Sequence, residues 1–274
     1  MSADSIIPPR AVAVPHPVSA LVRRIRALDW RPLLSFAAII ALWFAAYEFN
    51  WVRAKFLPSP VAVVERLWFE IHSGTIVTDL LETLRRNIIG LAIGGFIGLA
   101  LGALLGISSG FAKIVGPTVL AQRQTALFAW VPLLSVWFGG ADVGKIAFIS
   151  VAAFQPIVIN TWRGLTLVPK TYKELAESLS FTRWDYVRLV AIPNALPTIF
   201  TGFHAALIYA WLATVGAELF LNIAPGLGGR LTEGSQLFEI DLLFLTIILF
   251  GIVGLFYNSL AERTEGLFLK WNSR

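Results

Sequence analysis

Long apolar runs are the feature of this sequence that most restricts its fold. Residues 32–51 and 240–260 are nearly free of charge, and roughly 20 such residues are needed for a helix to cross a bilayer. Within lipid, helices and closed barrels are the structures that satisfy their own backbone groups. Only 14% of the 274 residues are charged, against about 25% in soluble domains. The sequence therefore predicts an all-α membrane protein.

The apolar runs divide the chain into about six transmembrane helices. These spans are expected at 32–51, 87–107, 114–138, 145–162, 199–221 and 240–260. Residues 1–31 contain several prolines and arginines, so we expect a flexible cytoplasmic N-terminal arm there and one membrane domain over 32–274. The charged segment 61–74 is expected to form a helix at the membrane surface.

Basic residues predict the orientation of these spans. If the N-terminus is cytoplasmic, the loops on that side carry most of the lysines and arginines, as the positive-inside rule requires. Both termini and the charged segment 170–197 then lie in the cytoplasm. The formal net charge of +5 is thus explained by topology, and no nucleic-acid partner is predicted.

Several kinds of chemistry are excluded by composition. The chain has no cysteine and only three histidines, so neither a metal centre nor a bound cofactor is predicted. It lacks the G-x-x-x-x-G-K-[ST] pattern of a phosphate-binding loop, and the glycine-rich segment 225–229 is expected to be a flexible external turn. We predict no catalytic site, and any ATP hydrolysis would need another polypeptide.

Glycines recur at every fourth position of the second predicted span. They form one smooth ridge on a helix, where a neighbouring backbone can approach closely. We expect this ridge to pack inside one subunit and not to form a dimer seam. The ridge consists of Gly90, Gly94, Gly98, Gly102 and Gly106.

The charged segment 170–197 interrupts the apolar chain with two short predicted helices. Thr171 with Glu174, and Thr182 with Asp185, have the spacing of capping boxes at helix starts. Pro193 and Pro197 are expected to end the second helix, with Asn194 capping the next span. One face would carry Leu175, Ala176 and Leu179. Such an amphipathic knob suits a soluble partner, although it could equally cover membrane surface.

This segment resembles the EAA loop of binding-protein-dependent ABC importer permeases. Glu174 and Ala176 match the first and third positions of that motif, and Leu196 with Pro197 matches its later L-P pair. Ser180 stands where the family usually has glycine. The fragments "LPSPVAVVERL", "VPLLSVWFG", "INTWRGL", "AWLATVGAELF" and "PGLGGRL" are similar to the nitrate, sulfonate, taurine and bicarbonate branch. Ala126 replaces a proline common in that branch, so the third span is expected to be straighter.

The resemblance implies the type I ABC importer permease fold and a set of partners. The coupling loop, about 163–197, would dock on a cytoplasmic ABC ATPase dimer that binds ATP and Mg²⁺. A second permease copy would enclose the pathway, and a periplasmic or lipid-anchored solute-binding protein would deliver a small anion such as a sulfonate, taurine or nitrate. The membrane would be a bacterial inner membrane. The implied ATPase-coupling residues are Glu174, Leu175, Ala176, Leu179, Ser180 and Pro197.

Polar residues inside the predicted spans are candidates for the translocation pathway. Arg123 is flanked by Gln122 and Gln124, and a charged residue at that depth usually faces a cavity or a partner. Either it attracts an anion in the pathway, or it is structural, pairing with Glu218 or lying nearer the cytoplasmic end. Trp211 and Glu218, in the fifth span, complete the candidate pathway.

Two other classes of membrane protein are less consistent with the sequence. A secondary transporter would also contain intramembrane charges, but it would need no docking knob, and no inverted repeat is visible. A membrane enzyme would need a cluster of His, Asp, Glu or Ser within the spans, which is not apparent. Co-purification of an ATPase distinguishes the importer from both.

Overall fold

The computed structural model describes residues 31–52, 56–221 and 225–268, and every element of regular structure in them is helical. The chain divides into two units, 1–60 and 61–274. The first contains helix α1, Arg31–Glu48, and the indole N–H of Trp43 donates a hydrogen bond to the carbonyl of Pro58 at 3.1 Å. The predicted arm lies, apart from Arg31, outside the described residues.

The second unit is a helical bundle with short connections. Its helices are α2 (Pro60–Ser73), α3 (Thr75–Ile107), α4 (Ser109–Gln124), α5 (Val131–Phe138), α6 (Asp142–Thr166), α7 (Lys170–Ser178), α8 (Arg183–Tyr186), α9 (Ile192–Phe220), α10 (Leu227–Gln236) and α11 (Ile240–Phe268). A 3₁₀ turn, Leu127–Trp130, precedes α5, and a π-helical turn, Val187–Ala191, joins α8 to α9.

The all-α prediction with about six spans is confirmed. In the described part of the chain, the helices long and apolar enough to cross a membrane are Thr75–Ile107, Asp142–Thr166, Arg183–Phe220 and Ile240–Arg263. Shorter apolar helices at Leu34–Glu48 and Leu127–Phe138 fall within the first and third predicted spans.

The third predicted span is broken, so the expectation that Ala126 keeps it straight is wrong. Helix α4 ends at Gln124, and Thr125 and Ala126 are extended, with ψ angles of 126° and 130°. The carbonyl of Gln122 accepts the Thr125 N–H at 3.1 Å, and the side-chain amide of Gln155 on α6 also donates to it at 3.4 Å. Non-helical backbone at membrane depth is stable where protein or a cavity covers it. Tertiary contacts therefore allow this break without a proline.

The glycine ridge of α3 packs against α6, which confirms the prediction of packing within one subunit. A Cβ atom added at Gly94 would overlap the carbonyl oxygen of Ser150, and one at Gly98 would lie 2.9 Å from the carbonyl oxygen of Phe154. On its other side α6 packs against small residues of α9, including Ala206 and Ala213. Helix α6 is thus the central helix of the bundle.

Of the two capping boxes predicted between α6 and α9, the structure contains the second but not the first. Helix α7 begins after Pro169 with no side-chain cap, so the predicted capping box of Thr171 is wrong. Thr171 lies inside the first turn because Pro169 occupies the capping position. The second box is confirmed: Thr182 Oγ1 accepts from the Asp185 N–H at 3.2 Å, and Asp185 Oδ2 accepts from the Thr182 N–H at 3.2 Å.

Pro193 and Pro197 do not end a helix, and Asn194 does not begin one, contrary to the prediction. Helix α8 continues through the π-helical turn into α9, and the Ile192 N–H donates to the carbonyl of Val187. Pro193 occupies the first turn of α9, where the lack of an N–H is tolerated. A continuous helical path therefore connects the exposed short helices with the interior of the bundle.

Candidate functional site

The bundle has a cluster of buried ion pairs where α3, α6 and α9 meet. The side chain of Arg86 donates to Glu218 Oε1 at 2.9 Å and to Asp142 Oδ1 at 2.7 Å. Arg86 and Glu218 are only 1% and 3% exposed. Glu218 also accepts from Thr83 at 3.0 Å. We call this the ion-pair end of the bundle. The expected alternative, a pair between Glu218 and Arg123, is wrong because Arg86 occupies the carboxylate.

The glycine-rich segment before α10 is part of this cluster. The N–H groups of Gly226, Leu227 and Gly228 donate to Asp79, Thr83 and Glu218, respectively, at 2.8–2.9 Å. A helix follows directly, so the expectation of a flexible turn is wrong from 225 onward. Two carboxylates and one hydroxyl of the protein therefore accept hydrogen bonds from the N–H groups that a bound anion would otherwise use.

Arg230 attaches α10 to the same end. Its Nε donates to Asp79 Oδ2 at 2.6 Å, and its Nη1 donates to Glu233 Oε2 at 3.0 Å. Partial burial by itself lowers the pKa of Arg230, but the hydrogen bond to Asp79 and the nearby carboxylates outweigh it, so the pKa is raised overall. Arg230 therefore remains charged and keeps α10 bound to α3.

Trp211 is a packing residue in this chain. Its indole N–H donates to the carbonyl of Phe250 at 3.1 Å, and its ring contacts the rings of Phe250 and Tyr257. Only 7% of Trp211 is exposed. Together with Glu218, it joins α9 to its neighbours, and neither residue is near Arg123 among the contacts described.

A polar cavity of about 450 Å³ lies between the end of α4, the middle and end of α6, and α9. We call it the arginine cleft. Arg123 lines it, whereas Gln122 and Gln124 are not among its described lining residues. The polar residues that line the arginine cleft are Arg123, Thr125, Gln155, Asn160, Arg163 and Tyr209.

The arginine cleft carries positive charge without local compensation. None of the described residues that line it is acidic, and neither guanidinium forms an ion pair within 31–52, 56–221 and 225–268. Both arginines are exposed in the single chain. Clefts lined by one sign of charge raise the local concentration of ions of the opposite sign. By charge, the lining of this cleft in the single chain suits anions better than cations.

Sequence reasoning found Arg123 but missed Arg163 and Tyr209 as cleft residues. Arg163 lies in the fragment "INTWRGL" and begins the expected coupling loop, but it was not assigned to the pathway. Nothing distinguished Tyr209 from other aromatic residues in α9. A local signal existed in α6, where Gln155 and Asn160 interrupt an apolar helix at positions that share a face with Arg163. That polar face would have identified the α6 side of the cleft.

The residues predicted to couple to an ATPase lie beyond the C-terminal end of α6, at the end of the bundle opposite the ion-pair end. We call this the short-helix end. A groove of about 510 Å³ between α7 and the π-helical turn is lined by Leu175, Ala176, Leu179, Pro193 and Pro197, among others. Ala176 is buried, whereas Leu175 and Leu179 are 56% and 59% exposed. The predicted apolar face is therefore present, and its two leucine side chains are exposed.

Ser180 and Glu174 complete the placement of the predicted coupling residues. Ser180 has a left-handed backbone, with φ of 54°, and the N–H groups of Ser180 and Phe181 donate to the carbonyls of Glu177 and Ala176 at 3.0 Å. This is a Schellman ending, which favours glycine. Glu174 is exposed on α7.

Comparison with known proteins decides the family. Residues 30–266 match the profile described as "Binding-protein-dependent transport system inner membrane component". The chain belongs to this family. It is 33% identical to SsuC of Escherichia coli strain K12, named for aliphatic sulfonates transport, over 85% of this chain and 89% of SsuC. It is 30% identical to the riboflavin transport permease RibX of Chloroflexus aurantiacus, over 93% of this chain and 96% of RibX.

Relatives named for nitrate import and taurine transport also match, which confirms the predicted branch. Among solved structures, the inward-facing MetNI methionine ABC transporter superposes with a TM-score of 0.59, at 20% identity, over 70% of this chain and 94% of that one. This likeness confirms the fold of an ABC transporter permease.

These findings establish the chain as the permease subunit of an ABC importer. Permeases of this family are not catalytic, and they work with an ATPase and a substrate-binding protein. Within the described residues, no group of three or more His, Cys, Asp or Glu side chains could hold a metal ion.

Proposed function

We propose that this permease conducts a small solute with a negatively charged oxygen group, such as a sulfonate, the zwitterion taurine or nitrate, along a pathway that includes the arginine cleft. The observation that carries the proposal is that Arg123 and Arg163 line the same cleft. None of the described residues that line this cleft carries a carboxylate. The names of the relatives alone do not decide the solute, because they include both sulfonates and riboflavin. An uncompensated positive cleft favours an anion over a neutral solute.

Arginine suits a transient contact with such a solute. Its guanidinium is charged at physiological pH and presents a planar fork of donors that matches oxyanions. Conduction also requires that the solute leave, so the contact must be weak. Arg123 is not buried within the chain, so we expect water in the pathway to compete for both partners and to weaken the contact. We expect the main selectivity to come from a periplasmic or lipid-anchored solute-binding protein at the ion-pair end.

We propose that a cytoplasmic ABC ATPase dimer docks at the short-helix end. This dimer would bind ATP and Mg²⁺. Exposed Leu175 and Leu179 beside the charged Glu174 offer the mixed apolar and polar surface that such a contact needs. The continuous helix from α8 through the π-helical turn into α9 links this surface to Tyr209 in the cleft. The proposed topology has both termini in the cytoplasm of a bacterium, with two identical permeases in the inner membrane.

The anion pathway is tested by Arg123→Gln in proteoliposomes that contain the permease, its ATPase and its binding protein. Uptake of a panel of taurine, methanesulfonate and nitrate identifies the transported anion in the wild type. Arg123→Gln should slow that uptake roughly tenfold, the size expected when one charge-assisted hydrogen bond is lost. The exposed Lys113 on α4 supplies the control, since Lys113→Gln removes a charge outside the described lining of the cleft.

Unchanged uptake by Arg123→Gln would exclude Arg123 from the pathway. Uptake that continues without the ATPase would instead favour a secondary transporter.

Coupling is tested separately by Glu174→Lys. We expect the variant to reach the membrane but to lose stimulation of ATP hydrolysis by the loaded binding protein, because the reversed charge faces the ATPase. Glu65→Lys is the matched control, since Glu65 is also an exposed acid but lies on α2. Normal stimulated hydrolysis in Glu174→Lys would contradict the assignment of α7 as the docking helix.

A further inference from the structure

We propose that Arg163 is a second oxyanion-binding residue in the arginine cleft, so that the solute meets two arginines in succession. This inference rests on the proposed function and adds a site that sequence reasoning did not assign. The ligand class is a small anion with two or more equivalent oxygens, such as a sulfonate or nitrate.

The geometry of α6 places the two arginines at different levels of one cavity. Gln155, Asn160 and Arg163 all line the cleft, as expected for one helical face. Gln155 contacts the carbonyl of Gln122, next to Arg123, at 3.4 Å, which puts Arg123 near the level of Gln155. Arg163 follows eight residues later, about 12 Å along a helix with a rise of 1.5 Å per residue.

Arg163 is also the arginine nearer the short-helix end. Helix α6 ends at Thr166, and α7 begins at Lys170. A solute that moves from Arg123 toward this end therefore passes the level of Arg163. Because each arginine is exposed, each offers a weak contact, and successive weak sites allow both entry and release.

Asn160 supports an oxyanion at this second level. It lies one helical turn before Arg163 on the same face, and its amide donates to the carbonyl of Pro156 at 2.7 Å. That bond uses one of two amide hydrogens and holds the side chain at the cleft wall. We infer that the second hydrogen can donate to an anion in the cavity that Asn160 and Arg163 both line.

The simpler interpretation is that Arg163 only helps to orient the protein by the positive-inside rule. An arginine with that role needs no cavity, whereas Arg163 shares a cavity of about 450 Å³ with Arg123. Lys113 carries a charge on the same predicted side without being among the residues that line this cleft. The two interpretations therefore make different predictions for Arg163 and Lys113.

The experiment measures anion binding to the permease–ATPase complex without the binding protein. Equilibrium dialysis of the complex in nanodiscs uses labelled methanesulfonate, taurine and nitrate, with dimethyl sulfone as the neutral isostere of methanesulfonate. We expect the wild type to bind at least one of the anions and not the sulfone. Arg163→Gln should weaken anion binding roughly tenfold, as on loss of one charge-assisted hydrogen bond, whereas Lys113→Gln should leave it unchanged.

Arg163→Lys keeps the positive charge but removes the planar fork of donors, so it shows which of the two properties binds the anion. It should weaken binding less than Arg163→Gln, and it serves as the test variant if Arg163→Gln does not assemble. Wild-type affinity in both Arg163 variants, with weaker binding in Arg123→Gln, would overturn the inference and leave the proposed function intact. Equal binding of sulfone and anions, or no anion binding by the wild type, would overturn the inference. Uptake in the reconstituted importer then shows separately whether the anion pathway also fails.

Discussion

The two ends of helix α6 hold their charges in opposite ways. At its start, Asp142 bonds to Arg86, and Arg86 bonds to buried Glu218 at 2.9 Å. Near its other end, Arg163 lines an open cleft with Arg123, and neither has an ionic partner in the described part of the chain. Buried charges need partners because desolvation is costly, whereas exposed charges remain hydrated. The comparison indicates a rigid ion-pair end and an arginine cleft that is free to meet a solute.

Helix α9 shows the same contrast within one element. Glu218 is 3% exposed and fully engaged with Arg86, Thr83 and Gly228, whereas Tyr209 is 52% exposed in the cleft. Charge alone therefore does not identify a pathway residue. Burial and the presence of a partner separate a structural carboxylate from side chains available to a ligand.

The largest effect is expected from Arg86→Met at the ion-pair end. This change leaves Glu218 buried without its cation, which costs roughly 3–5 kcal/mol when one partner of a buried pair is removed. Thermal unfolding in detergent should show a greatly lowered midpoint and little assembled complex. Arg85→Gln is the neighbouring control: Arg85 is 46% exposed, and its loss should change the midpoint little.

Adding Glu218→Leu to Arg86→Met should recover part of the lost stability, because no uncompensated carboxylate then remains at that position. Similar midpoints for Arg86→Met and Arg85→Gln would contradict the contrast between the two ends.

A smaller effect is expected from Gly94→Ala, in the seam that holds α6 against α3. The added methyl group overlaps the carbonyl oxygen of Ser150, so the backbones must separate, at a cost of about 1–3 kcal/mol for overpacking. Gly95→Ala is the control, since its Cβ would lie 3.4 Å from Ile157 Cδ1, an ordinary contact. Thermal unfolding of both variants measures the difference.

If the seam positions the cleft face of α6, Gly94→Ala should also weaken anion binding, and Gly95→Ala should not. Equal stability of the two variants would show that the α3–α6 seam can relax.

The smallest effect is expected at the short-helix end, from Ser180→Gly. Ser180 has a φ of 54°, a left-handed conformation that costs a non-glycine residue roughly 1 kcal/mol. Glycine removes this strain but adds freedom to the unfolded chain, so we expect a gain below about 1 kcal/mol. Hydrogen exchange of the amides in 170–182 should become slower.

Ser178→Gly provides the opposite control, because Ser178 is the last residue of α7. Glycine there should destabilise the helix, by no more than the roughly 0.5–1 kcal/mol that it costs in a helix interior. Faster exchange in Ser180→Gly than in the wild type would show that the serine side chain, and not the backbone strain, controls this turn.

Local features were predictable from sequence where local physics decides them. The four-residue spacing from Gly90 to Gly106 required a helix with a close neighbour, and α6 is that neighbour. The box of Thr182 with Asp185 formed because its partners are three residues apart. The capping box predicted at Thr171 is absent because the helix begins earlier, directly after Pro169. The break at Thr125 was not visible, since contacts from Gln155 on another helix stabilise it.

By itself, the sequence determined an all-α permease with about six spans, because helix formation and transfer into lipid depend on residues near one another in the chain. Only the tertiary structure decided which charges meet. Arg86 and Glu218 are 132 positions apart, and Arg123 and Arg163 belong to different helices. Such pairs depend on the register in which α3, α4, α6 and α9 pack, so Glu218 became a partner of Arg86, and Arg163 joined Arg123 in the cleft.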